Sequence, residues 1–86
     1  MAKRSAREEM AEINEMALCC DGFDDCIVGM LEQFGRPVVV LYDKPKMINK
    51  MVKGGMSEDE ALEYFDFNIT GAYVGEHTPA FMTRLR

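Results

Sequence analysis

The sequence predicts a single α+β domain in which three helices pack a small three-stranded sheet, antiparallel or mixed, in the order α-β-β-α-α-β. Apolar residues recur at helical spacing in three separate stretches, two of them opened by capping-box spacing. Two short apolar runs, the second rich in β-branched residues, flank a Gly-containing turn as in a hairpin. A chain of 86 residues holds one modest core and leaves no room for a separate catalytic domain. With 48% hydrophobic and 29% charged residues, it has the balance of a folded protein. Residues 1–86 are therefore read as one domain, with residues 1–4 as a disordered tail.

Ser5 to Glu8 has the spacing of a capping box, and Ala6, Met10, Ile13, Ala17 and Cys20 then mark one helix face, which predicts a first helix over 5–19. The runs after Cys26 and around "VVVLY" predict strands at 26–32 and 37–42. Asp43 suits the N-cap of a second helix that tolerates Pro45 in its first turn and stops at Gly54-Gly55. Tyr42 and Met47 have the spacing of a hydrophobic staple across that cap. Ser57 to Glu60 is a second capping box, with three acids in the first turn where the helix dipole favours them. Leu62, Phe65, Ile69 and Ala72 extend this third helix to about Thr70 or Tyr73, and "AFMTRL" alternates as a last strand.

Three acids, Asp21, Asp24 and Asp25, fall within five residues just before the first strand. Following chain direction through an antiparallel hairpin and two helices brings them to one rim with Asp43, Glu76 and His77. Oxygen ligands in that number suit a hard cation or a general acid/base pair. Local roles are favoured instead: Asp43 as a cap, Asp21 and Asp24 as acceptors of backbone N–H groups in a tight turn. "DGFDD" lacks the alternating ligands and closing Glu of a calcium loop, so neither metal nor cofactor is expected. Cys19, Cys20 and Cys26 lack the C-x-x-C spacing that would join His77 in a zinc site, and are read as reduced thiols. No nucleophile-and-base motif and no phosphate-cradling glycine loop is present, so no enzyme activity and no catalytic residue is expected.

"DGFDDCIVG", "VVVLYD" and "EALEYFDFNITGAYVGEHTPAF" together resemble a small family of uncharacterised bacteriophage and prophage proteins. The resemblance spans roughly Asp21 to Phe81, and its most distinctive part is the stretch from Gly71 through Tyr73, Gly75 and Glu76 to Thr78 and Pro79. Cys26 stands where the family pattern has a small residue such as alanine, and the first helix lies outside the match. The resemblance implies a phage setting in a host cytoplasm and assigns no chemistry.

Three functions fit these features. The first is a phage accessory protein that binds a host or phage protein, for instance to inhibit a defence system or a host enzyme. A net charge of −5, with six acids and no base over residues 57–76, suits a basic partner surface. The second is a small-molecule or divalent-metal binder at the acidic rim, and the third a structural component of a phage particle. Nucleic-acid binding is not expected, because Lys44, Lys46, Lys50 and Lys53 carry no interleaved aromatics. No apolar run approaches a membrane span. A homodimer is expected, since a three-stranded sheet has two edges that so short a chain covers poorly.

Overall fold

The computed structural model describes residues 5–85, so the expected tail at residues 1–4 lies outside the described residues. The fold is α+β: three α-helices and a three-stranded mixed sheet. The first helix, α1 (Ala6–Ile13), is capped by Ser5, whose Oγ accepts the N–H of Glu8 at 3.1 Å. It stops well short of the expected residue 19. Asn14 ends it, because its side-chain Oδ1 accepts the N–H of Met16 at 3.1 Å, a local bond that competes with the helical pattern. Ala17, Cys19 and Cys20 still pack against the core, so the apolar periodicity records burial without a helix.

A single 3-10 turn, Asp24–Cys26, leads into β1 (Ile27–Leu31), which pairs antiparallel with the central strand β2 (Val39–Asp43). The ladder slips between Ile27 and Gly29, leaving Val28 as a bulge on the edge strand. Asp43 then caps α2 (Lys44–Lys53), its Oδ1 accepting the N–H of Lys46 at 3.1 Å. Pro45 sits in the first turn, where a missing N–H has no partner to lose. Tyr42 and Met47 flank this cap, both fully buried in the same cluster. The capping box at Ser57 opens α3 (Glu58–Tyr64), which continues into a π-helix, Phe65–Thr70. The third strand, β3 (Ala80–Met82), is shorter than expected and lies parallel to β2, with Tyr42 opposite Phe81.

The helices cover one side of the sheet. Val40 and Tyr42 of β2 enter a core with Met10, Met47, Ile48, Met51, Ala61 and Phe65. Phe81 stacks on Tyr42 with ring centres 5.9 Å apart and meets the edge of Phe65 at 5.0 Å, geometries that add to the area these rings bury. Burying a ring of this size stabilises by roughly 1.5–3 kcal/mol. Three of the eight methionines, Met10, Met47 and Met51, fill this core, as an unbranched side chain suits irregular gaps. No helix among the described residues is long and apolar enough to cross a membrane.

Candidate functional site

The parallel β3 divides the expected acidic rim. Because β3 runs with β2, it begins beside Leu41 and is reached from the end of the sheet where β2 starts. Glu76 and His77 therefore stand at that end, with His77 Nδ1 3.0 Å from Asn14 Nδ2, which also donates to the carbonyl of Val38. Asp21, Asp24, Asp25 and Asp43 remain together at the other end, where Ile27 faces Tyr42. β3 runs opposite to the expected direction because the nine residues 71–79 that follow the π-helix are long enough, at up to about 3.3 Å each, to carry the chain back along the sheet.

The acids that do converge are paired with bases. Arg7 of α1 reaches Asp24 through Nε at 2.7 Å and Asp21 through Nη2 at 3.3 Å, and the bond to Asp24 raises the guanidinium pKa further. Lys50 of α2 donates to Asp25 Oδ1 at 2.8 Å, which holds that carboxyl below its usual range. Asp43 keeps its capping role and has Arg84 Nη2 3.8 Å away. The expected backbone acceptor role of Asp21 and Asp24 is thus replaced by bonds from a side chain, which tie α1 to the turn before β1. No group of three acids, histidines or cysteines among the described residues is placed to hold a metal ion.

The three thiols are free. Burial raises the pKa of Cys26 and of Cys20, which opposes thiolate formation, the reactive state of a cysteine. The Cys26 S–H lies 3.7 Å from Asp25 Oδ1.

A different surface stands out, along α3 and the π-helix. A helix of normal pitch would have placed Leu62, Phe65, Ile69 and Ala72 on the buried side. Instead Ala61 and Phe65 are buried and Ile69 half-buried, while Leu62 and Ala72 are exposed. The π-helix that follows is closed by the N–H of Gly71 on the carbonyl of Asp66 at 3.0 Å. Only glycine fits at 71, because a Cβ there would come within 2.9 Å of the Asp66 carbonyl oxygen and 3.0 Å of that of Phe67. Tyr64, at the end of α3, and Phe67, in the π-helix, both point away from this buried side, Phe67 at 74% exposure, and the segment beyond exposes Tyr73 and Val74.

Tyr64 and Asn68 separate two depressions on this side. One is an apolar cleft of about 390 Å³ between the α3 side and the 14–23 segment, with Leu18, Phe23, Ile69 and Val74 in its wall. The other, of about 340 Å³, lies between Met56 and Phe67 and carries Glu60 and Glu63. Together they form a groove with aromatic sides and a carboxylate margin, to which the stretch that contains no base contributes Glu60, Glu63, Tyr64 and Phe67. In the sequence, Tyr64 and Phe67 lie off the stripe of Leu62, Phe65, Ile69 and Ala72 at helical pitch, which is the signal of their exposure, and the glycine at 71 is the signal of a tighter approach.

Comparison of the chain with protein-family models, with curated proteins and with solved structures finds no match.

Proposed function

We propose that this chain is a phage accessory protein that works in the host cytoplasm by binding another protein through the groove along α3 and the π-helix. The observation that carries this reading is the outward pair Tyr64 and Phe67, set among Glu60, Glu63 and Asp66 on a segment with no base. Aromatic side chains that stay exposed beside a cleft are the usual anchors of a protein interface. The surrounding carboxylates would steer a partner whose own apolar patch is ringed by lysine and arginine. Glu63 and Asp66 have no ion pair among the described residues, so their charge is available to such a partner. The acidic end of the sheet supports a ligand site less well, because Arg7 and Lys50 already occupy its carboxylates.

The reading is tested by affinity capture from bacteria that express the tagged chain, with the parent compared against a Tyr64→Ala, Phe67→Ala double variant. A stoichiometric protein held by the parent and lost from the double variant supports it. Equal capture by both, with the variant folded, removes it.

A further inference from the structure

We propose that a second copy of this chain docks on the sheet face turned away from the helices, each copy seating its Phe34 in a cleft of the other. This goes beyond the protein-binding reading, since it concerns another face and another partner.

Side chains alternate across a strand. Because Val40, Tyr42 and Phe81 enter the core, Leu31, Val39, Leu41, Ala80 and Met82 take the opposite face in register. All three helices are on the other side, and on this face Val39 is buried while Leu31, Leu41, Ala80 and Met82 stay half-buried. At the hairpin end this face opens into a cleft of about 410 Å³, floored by Leu31, Val39 and Ala80 and walled by Tyr73, Arg36 and Glu76. Beside it, Phe34 projects fully into solvent at 107% exposure. The turn that presents it is held by the N–H of Arg36 on the carbonyl of Gln33 at 3.1 Å, with Gly35 at φ +75°. That turn geometry requires glycine at its third position.

One patch therefore holds a knob, a hole, a cation and an anion. A two-fold axis brings the same patch to itself, so such a surface is complementary to its own copy. Phe34 of each chain meets the cleft of the other, and Arg36 of each meets Glu76. Arg36 has no ion pair among the described residues, and Glu76 has only the His77 ring, 3.8 Å away. Pairing of copies through the β1 edge is less favoured, because the bulge at Val28 breaks that ladder.

Sedimentation at micromolar concentration tests the proposal. The parent is expected at twice its 9.8 kDa chain mass. Phe34→Asp, Arg36→Glu and Glu76→Arg should each weaken the dimer by at least about tenfold, whereas Lys53→Glu, which does not line the cleft, should not. Mixing the Arg36→Glu chain with the Glu76→Arg chain should restore a dimer, because each new pair is again of opposite sign. A parent that stays at 9.8 kDa, a dimer indifferent to Phe34→Asp, or a mixture that does not associate would each overturn it.

Discussion

The hydroxyl of Tyr42, near the end of the central strand, accepts the backbone N–H of Cys20 at 2.7 Å. A buried ring thus reaches across the core to pin the irregular segment that follows α1. Burial also raises the pKa of this hydroxyl, so it stays a neutral phenol.

Tyr42→Phe keeps the ring and its stacking on Phe81 but leaves the Cys20 N–H without an acceptor. Stability should fall by about 1–2 kcal/mol, read from denaturant melts. Cys20 should also react faster with a thiol-alkylating reagent as the 14–23 segment loosens.

Asn14→Asp should cost more than its small change in shape suggests. The Asn14 amide nitrogen donates to the Val38 carbonyl at 2.8 Å and to His77 Nδ1 at 3.0 Å, while its oxygen accepts from Met16. A carboxylate has no N–H to offer and sets a negative charge against the carbonyl. A loss of about 1–3 kcal/mol is expected, and a thermal melt of Asn14→Asp beside Asn14→Ala measures it.

Asp24 answers to Arg7, so Asp24→Asn and Asp24→Ala should behave alike. Both partners are largely exposed, and an exposed pair contributes roughly 0.2–1 kcal/mol, less in salt. Melts at low and high ionic strength should show a small deficit that shrinks as salt rises. A markedly milder Asn variant would instead indicate a backbone acceptor role for Asp24.

Acid should weaken the fold in a defined range. Hydrogen bonds from Lys50 and from the Ser57 backbone lower the pKa values of Asp25 and Glu60 from their ordinary 3.8 and 4.5. A lowered folded-state pKa contributes stability that is complete above the ordinary value and is lost as pH falls through the folded one. Stability should therefore decline only below about pH 4.5. Glu60→Gln, which keeps an acceptor and cannot ionise, should make that decline shallower in a pH series of melts.

Local chemistry made most elements legible. The caps at Ser5, Asp43 and Ser57, the Tyr42–Met47 staple and the valine-rich strand act through neighbours in sequence, and each stands where expected. Features that depend on distant parts of the chain were not legible. Asn14 stops α1 through a bond to Met16 but is fixed by Val38 and His77, far along the chain. The direction of β3 depends on how the 71–79 segment is routed, and no residue in it states that route. The end of the apolar stripe, where Ala72 lies exposed, depends on one wider helical turn, which shifts every later residue around the axis.

If a partner protein lies against Phe67, a photo-crosslinking amino acid placed there will reach it. Installed at position 67 in cells and illuminated, it should yield one discrete heavier species, absent when the same group replaces Lys53, which lines neither depression. Identical patterns from the two positions, or no crosslink at 67 from a folded chain, would mean that no partner lies against Phe67.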